Sequence, residues 1–516
     1  MVVMVGIGLW AMRKTKSVGD FFLGGRSIGA WMSAFAYGTT YFSAVLFIGY
    51  GGKLGWGFGL HDMWIVAGNV IVGSLLAWWV LGKRTREMTA RLNAMTMPAF
   101  LGERYKSPTL KVASALLIFV FLVPYSAGVY LGLRYLFETA LGLSEISALL
   151  FLAASTAIYL VLGGYFAITF TDFVMGIIMI FGAAAMLWIL TAAAGGFAHA
   201  NHLLSNFKVC SPALQPGPPG SIPGWLTLAS LVVVTSFGVW GLPQMVQKFY
   251  SIKSGDHAKK AMIVATLFAL VISCGAYYTG ALSHINIPPH KSAIVKVEAI
   301  EGDYTPGSSL PLKMDKAGQP IVQPNGKPEV DWDRWIPKFL SERLPAWMMV
   351  VIVLLVYSAS MSTLSSLVLV SSSAIAMDLY AGVARPNVER KTVLALMRAL
   401  CAVFVVVSLA MALKPPAIII NLMVVSWGVL AGAFGAPYFY GLFWRRTNAI
   451  SAGAGMVVGV CTAIALFIKY GQPGVPVAGA TAILVPYIVV PLVTLFTKPM
   501  DAEVVKVAFE GSETAG

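Results

Sequence analysis

Charged residues are scarce in this sequence. Only 11% of its 516 residues are charged, whereas soluble globular domains average about 25%. Hydrophobic residues make up 58% of the chain, and the mean hydropathy is +0.78. A soluble fold has no interior large enough for so much apolar sequence, so the composition excludes that class. We expect an integral membrane protein with a single polytopic transporter domain over residues 1–516.

Cysteines and clusters of ionisable residues are also scarce. The four cysteines, Cys210, Cys274, Cys401 and Cys461, are widely spaced and form no C-x-x-C pair. This spacing predicts neither a disulfide framework nor a metal site. The apolar stretches hold no pairing of a nucleophile with a base. We therefore expect no enzymatic activity and no prosthetic group.

The net charge of +14 would suggest nucleic acid in a soluble protein. Here the basic residues fall in alternate connections between apolar runs, for example at 83–91, 248–260 and 385–391. We interpret them, Lys248 included, as cytoplasmic topology signals. The expected partners are therefore a lipid bilayer and a small solute, and not nucleic acid. The N-terminus is predicted outside and the C-terminus in the cytoplasm, as in a multi-pass protein of the plasma or inner membrane.

Apolar runs of about 17–25 residues, each long enough to cross a bilayer, dominate the chain. We predict thirteen helices, the first of which is short for a span. They lie near 1–12, 28–53, 60–81, 108–137, 143–162, 165–195, 222–247, 258–284, 344–376, 391–413, 416–443, 448–470 and 476–497. Two long extracellular loops are predicted at 196–224 and 285–343.

The stretch "SASMSTLSS", residues 358–366, brings many hydroxyl groups into an apolar helix. Ala359, Ser362 and Thr363 have i, i+3, i+4 spacing, so they share one helical face. Two hydroxyl oxygens and a backbone carbonyl could converge there on a small cation such as Na⁺. Close helix packing, with Ser and Thr bonded to their own helix, explains the same hydroxyls.

Two spans are interrupted by glycine and small polar residues, at 34–52 and at 232–244. Interrupted spans in corresponding positions of two repeats indicate the midplane site of a transporter. Each begins a group of five helices, 28–195 and 222–443, so we predict an inverted five-plus-five repeat. Small-residue packing between helices is the alternative.

Two further features suggest contacts with an ion or a solute. Asp172 lies about one turn inside a predicted span, where it could attract a cation or complement the helix N-terminus. The segment "VPYSAGVY", residues 123–130, combines a proline with Tyr125, which suits the wall of a solute pocket.

Three segments carry a family resemblance: "DFFLGGRSIGAW" at 20–31, "YLVLGGYFAITFTD" at 159–172 and "MSTLSSLVLVSSSAIAMDLY" at 361–380. The chain resembles the sodium:solute symporter family, which includes transporters of proline, pantothenate, monocarboxylates, sugars and sialic acid. The resemblance implies an all-α membrane fold with the leucine-transporter-type five-plus-five inverted repeat. It also implies one extra helix before that core and two after it.

The resemblance also implies a site for a co-transported Na⁺. Its ligands would be the backbone carbonyls of Thr39, Phe42 and Ala359 and the hydroxyls of Ser362 and Thr363. Some members hold a second cation with the aspartate that matches Asp172 and with a serine where this chain has Ala359.

The family's solute lies at the helix breaks, so the resemblance implies a set of solute-contacting residues. These are Thr40, Ser43, Tyr125, Ser236, Trp240 and Gln244. The chain departs from proline transporters at Tyr41 and Val45, where they carry Asp and Trp.

We predict sodium-coupled symport by alternating access of a small polar solute, either an amino acid such as proline or a carboxylate. A proton-coupled or uncoupled carrier of the same fold and a membrane sensor without transport activity are the alternatives.

Overall fold

The computed structural model describes residues 22–285, 310–314, 319–322 and 328–510, with the side chains of 158–164 and 166 excepted. These residues form helices, with β-contacts limited to isolated bridges such as Ile28 with Ile252. The predicted helix at 1–12 lies outside the described residues. The main helices, numbered in chain order, are α1 Ala30–Tyr41, α2 Val45–Leu54, α3 Met63–Val70, α4 Met97–Tyr105, α5 Pro108–Leu141, α6 Glu145–Ala193, α7 Phe197–Leu204, α8 Gly224–Val232, α9 Pro243–Ser251, α10 Gly255–Leu282, α11 Trp332–Arg343, α12 Ala346–Ser373, α13 Arg390–Leu413, α14 Ile419–Phe443, α15 Ala449–Tyr470, α16 Val475–Phe496 and α17 Ala502–Glu510.

Ten helices in the described part of the chain are long and apolar enough to cross a membrane. The predicted count of thirteen is therefore not confirmed. One helical stretch, Val45–Arg91, contains residues of two predicted helices, 28–53 and 60–81. Between them lies Gly59, whose φ of +53° interrupts the regular helix. A Cβ on Gly59 would lie 1.9 Å from the carbonyl oxygen of Cys210, so glycine is required at this turn.

The two interruptions expected from the sequence are present in the backbone. The first helix, α1, ends at Tyr41, and Phe42 is extended with φ −110° and ψ 105°. After α8, the chain continues through a π turn and a 3₁₀ turn to Leu242, which is extended with φ −82° and ψ 123° before α9 begins. Each break leaves backbone groups near its ends without the usual partners of a continuous helix.

The long helical segment α6 makes two passes in opposite directions. In a straight helix, Thr156 and Asp172 would be about 24 Å apart at 1.5 Å per residue. Instead, Thr156 donates to Met361 Sδ at 3.6 Å, and Asp172 lies beside the next residue of α12, Ser362. The second pass therefore brings Asp172 back to the same level of the bundle.

The helices α14, α15 and α16 pack closely through small residues. A Cβ on Gly459 would lie 2.3 Å from the carbonyl oxygen of Gly432, and one on Gly428 would lie 2.8 Å from Gly479. Small residues at these positions let helix backbones approach within a membrane, where the hydrophobic effect does not drive helix association. Most of α14 is buried, whereas large apolar side chains on outer helices, such as Trp188 and Phe496, are exposed as lipid contacts would require.

Candidate functional site

The end of α1 meets the middle of α12 through a cluster of oxygen atoms. Ser362 Oγ donates to Thr39 Oγ1 at 2.8 Å. Thr363 Oγ1 lies 3.2 Å from the carbonyl oxygen of Thr39 and 3.4 Å from that of Thr40. These carbonyls belong to the last turn of α1, where the break removes the next helical donors. Hydroxyl and carbonyl oxygens from two helices therefore converge, and all of these groups are buried and uncharged.

The other two predicted sodium ligands flank this cluster. Phe42 is the extended residue at the break itself, directly after the last turn of α1. Ala359 is fully buried on α12, one helical turn before Thr363. The structure thus brings the Ser362 and Thr363 hydroxyls within hydrogen-bond distance of Thr39. The other two predicted ligands, Phe42 and Ala359, lie within one helical turn of these residues along the chain.

The hydroxyls of α12 divide into two groups. Ser360 and Ser372 donate to carbonyls four residues earlier on their own helix, at 2.6 and 2.7 Å. Ser362, Thr363 and Ser366 instead reach groups on other helices. The second group makes the contacts between helices, and the sequence pattern alone does not separate the two groups.

Asp172 faces the buried cation Lys248, for which the predicted position at the cytoplasmic surface is wrong. Lys248, on α9, is fully buried rather than a cytoplasmic surface charge. Its ammonium lies 3.7 Å from Asp172 Oδ2 and donates to Ser366 Oγ at 3.0 Å. Ser366 Oγ lies 3.1 Å from Thr40 Oγ1. A chain of polar contacts therefore connects Asp172 to the broken end of α1.

A small cavity lined by buried residues lies on the other side of the break. Its volume is about 20 Å³, which is room for about one water molecule. Half of the lining residues are aromatic, and the others are small polar or aliphatic residues: Tyr41, Phe42, Ser43, Leu46, Tyr50, Asn69, Thr235, Tyr277, Met423 and Trp427.

The two broken helices meet at this cavity. Tyr41 Oη donates to the carbonyl oxygen of Thr235 at 2.6 Å and lies 3.1 Å from Asn69 Oδ1. Ser236 Oγ donates to the same Asn69 oxygen at 3.2 Å. Asn69 therefore joins the end of α1 to the interrupted part of the α8 span, and movement of either break would disturb the cavity.

The predicted solute-contacting residues are spread over a larger region than the cavity. Ser43 lines it, and Tyr125 packs edge-on against the ring of Trp427 with centroids 5.7 Å apart. Trp240 donates to the carbonyl oxygen of Val72 at 3.0 Å. Ser236 reaches the cavity through its bond to the Asn69 side chain.

Two other predicted solute contacts lie outside the cavity lining. Thr40 contacts Ser366 in the polar chain described above. Gln244 is fully buried near the start of α9, and its amide has no hydrogen-bond partner among the described residues. The structure does not bring these two side chains together with Ser43.

Several cavity residues were not selected from the sequence. Asn69 is a lone amide within the apolar stretch "IVAGNVIVG", and an intramembrane polar residue is a signal that could have identified it. Tyr50, Tyr277 and Trp427 carry no such signal, because aromatic residues are common throughout apolar spans. Their convergence depends on the packing of three separate helices.

The two ends of this region differ in how tightly they pack. A cavity of about 400 Å³ lies beyond the end of α2, lined by Lys53, Trp56, Trp332, Asn421 and Gln472 among others. At the opposite end, Arg26 donates to the carbonyl oxygens of Thr89 and Ala94 at 3.0 and 2.7 Å, and the cavity behind Phe22 measures about 10 Å³.

A buried carboxyl stands beside the larger cavity, on α11. Asp333 accepts a hydrogen bond from the backbone N–H of Ile419, the first residue of α14, at 3.3 Å. Burial and, to a smaller extent, the nearby carboxyl of Asp331 raise the pKa of Asp333 to about 7, while the Ile419 N–H, Lys53 and Lys313 act in the opposite direction. This carboxyl therefore changes charge near neutral pH.

The sequence model of the sodium:solute symporter family matches residues 21–303 and 322–459. The sodium/proline symporter of Escherichia coli is 27% identical over 469 residues, covering 89% of this chain and 85% of that protein. An osmoregulated proline transporter of Bacillus subtilis is 28% identical, covering 90% and 86% of the two chains. The sodium/pantothenate symporter of Escherichia coli is 29% identical, covering 89% and 87%.

Two solved structures share the fold. A Na⁺-coupled sialic acid symporter in a substrate-bound outward-open state superposes with a TM-score of 0.71 at 15% identity, covering 97% of this chain and 96% of that chain. Mhp1, a nucleobase-cation-symport-1 family transporter, superposes in a closed conformation with a TM-score of 0.51 at 15% identity, covering 95% and 98%.

Proposed function

The chain belongs to the sodium:solute symporter family, and from that premise we propose that it carries a small carboxylate-bearing solute into the cell together with Na⁺. Membership of this family supports sodium-coupled symport of a solute. The observation that carries the proposal for this chain is the contact of Ser362 and Thr363 with the broken end of α1.

The oxygen cluster has the chemistry of a sodium site. Unwound backbone carbonyls at broken membrane helices coordinate Na⁺ in transporters. Here the hydroxyls of Thr39, Ser362 and Thr363 supply side-chain oxygens next to such carbonyls. A bound Na⁺ would replace hydrogen bonds among these groups and draw α1 and α12 together, with Phe42 and Ala359 supplying further carbonyls.

The small cavity beside the break supports a solute with a carboxylate. Tyr50 and Trp427 line it, and the Tyr50 hydroxyl and the Trp427 indole N–H have no hydrogen-bond partner among the described residues. An unmet buried polar group costs about 1–3 kcal/mol, and a carboxylate could accept from both donors. The N-terminal end of α2 also faces the break and favours negative charge. Proline, which is named as the solute of several relatives, and pantothenate, which is named for another, both carry a carboxylate.

Transport requires the cavity to open, because about 20 Å³ is too small for either solute. The outer cavity of about 400 Å³ supplies an approach route in the predicted orientation, with the N-terminus outside. The Arg26 contacts close the opposite end. We propose alternating access in a five-plus-five inverted repeat at 28–195 and 222–443, with extra helices at 1–12, 448–470 and 476–497.

The test is a thermal-shift screen of the purified protein with proline, other amino acids, pantothenate and short monocarboxylates, in NaCl and in KCl. We expect one class of carboxylate-bearing solute to raise the Tm more in NaCl than in KCl. Uptake of that radiolabelled solute into proteoliposomes should require an inward Na⁺ gradient. Equal stabilisation and equal uptake in KCl would contradict sodium coupling, and uptake driven by a pH gradient alone would favour a proton-coupled carrier.

A further inference from the structure

The ammonium of Lys248 lies in surroundings suited to a bound cation. Its nitrogen is 3.7 Å from Asp172 Oδ2, donates to Ser366 Oγ at 3.0 Å and stands 5.3 Å from the centre of the Tyr165 ring. Both charged side chains are fully buried. A carboxylate, a hydroxyl and an aromatic face are groups that stabilise positive charge away from water.

This arrangement is held from several helices. The Tyr165 hydroxyl lies 2.8 Å from Ser251 Oγ, and Ser251 Oγ donates to the backbone carbonyl of Lys248 at 3.0 Å. Tyr165 belongs to α6, Lys248 and Ser251 to α9, and Ser366 to α12. The lysine is thus held within the core, and its side chain can reach solvent only if α9 moves.

A second cation at Asp172 would conflict with this lysine. Two unit positive charges about 4 Å apart, at the effective dielectric constant of 20 typical of protein sites, repel each other enough to weaken binding on the order of a thousand-fold. One carboxylate can compensate only one of them. The buried Lys248 therefore competes with any free Na⁺ for the same partner.

We propose that Lys248 is the resident cation of the Asp172 pocket, where its ammonium takes the place of a second sodium ion, so that each solute is carried with one Na⁺. This inference rests on the proposed sodium site at Thr39, Ser362 and Thr363. The Lys248–Ser366–Thr40 contacts connect the two cation positions without making them one site.

The experiment measures equilibrium binding of ²²Na⁺ to purified protein by scintillation proximity, with no solute added. We expect one Na⁺ per wild-type protein and a Hill coefficient near 1. Lys248→Met removes the ammonium and leaves Asp172 uncompensated, so it should bind two Na⁺. Lys248→Arg retains the positive charge and should bind one. Lys253→Met, at an exposed lysine five residues away, is the matched control and should also bind one.

Asp172→Asn provides a second measurement if Lys248→Met does not fold. The proposal expects this variant to retain the single Na⁺ of the wild type, because Asp172 serves the lysine and not a free ion. Two Na⁺ per wild-type protein, with one lost in Asp172→Asn, would overturn the proposal and leave the proposed function intact. A Lys248→Met protein that still binds one Na⁺ would overturn it as well. No Na⁺ binding by wild type would instead contradict the proposed function.

Discussion

Removal of single hydroxyls at the junction of α1 and α12 should weaken Na⁺ binding by an amount that the contacts allow us to estimate. In Ser362→Ala, Thr39 Oγ1 loses the proton donated at 2.8 Å but still donates to the carbonyl oxygen of Phe35 at 2.8 Å. No buried donor is left unsatisfied, so the loss of unfolding free energy should be only about 0.5–1.5 kcal/mol.

The effect on the ion should be larger than the effect on folding. An interaction with a charged group contributes about 1.5–3 kcal/mol, which corresponds to a roughly 10- to 100-fold rise in the Na⁺ concentration for half-saturation. Thr363→Ala should have an effect of the same size. Thr363→Ser retains the hydroxyl and should stay close to wild type. The assay is ²²Na⁺ binding, repeated as the Na⁺ dependence of solute uptake.

The matched control lies on the same helix. Ser372 is as deeply buried as Ser362, but its hydroxyl donates to the carbonyl of Val368 on its own helix at 2.7 Å. Ser372→Ala should therefore leave Na⁺ affinity unchanged. If Ser362→Ala and Thr363→Ala both bind Na⁺ as tightly as Ser372→Ala does, the ion site lies elsewhere and the reasoning from the α1–α12 contacts is wrong.

Three further predictions follow from other parts of the site. Gly73→Ala should reduce solute uptake at least tenfold, because the new Cβ would lie 2.1 Å from Tyr41 Oη; Gly29→Ala, which has open space around it, is the uptake control. Trp427→Phe should raise the KM for solute about tenfold without a change in ²²Na⁺ affinity, because it removes an N–H donor and retains an aromatic ring; equal losses of both affinities would contradict this. Because its pKa is raised, Asp333 contributes stability that is greatest below about pH 4 and is lost as pH rises to about 7. The fall in Tm between pH 5 and pH 8 should therefore be smaller in Asp333→Asn than in wild type. Identical Tm profiles would contradict the raised pKa of Asp333.

Much of the architecture follows from sequence patterns that a bilayer imposes. Apolar run lengths predict helices, and the backbone breaks at Phe42 and Leu242 lie where glycine, proline and hydroxyl residues interrupt those runs. The exact number of spans does not follow. The sequence predicts separate helices at 28–53 and 60–81, whereas the structure joins them in one helical stretch, Val45–Arg91, that contains Gly59 with its positive φ.

The site was predictable to the extent that spacing along one helix determines it. The i, i+3, i+4 pattern identifies the face with Ser362 and Thr363, but it cannot show that Ser360 and Ser372 bond to their own helix. Lys248 was assigned to the cytoplasmic surface because basic residues between spans usually lie there. Its burial depends on the path of α6, which brings Asp172 back to the level of Ser362. This packing is a property of the tertiary structure and cannot be read from local sequence patterns.

The chemistry of the oxygen cluster suits an ion that must leave as readily as it binds. A transported ion needs a site favourable enough to capture it outside and weak enough to release it inside. The hydroxyls of Thr39, Ser362 and Thr363 and the carbonyls of α1 are all neutral, and ligand charge is a main determinant of cation affinity. Asp172 lies beside Ser362, and a carboxylate this close to the site with no other cation to compensate it would tighten Na⁺ binding and slow release. The break in α1 is therefore needed to supply extra neutral oxygens, and Asp172 serves transport best when Lys248 compensates its charge.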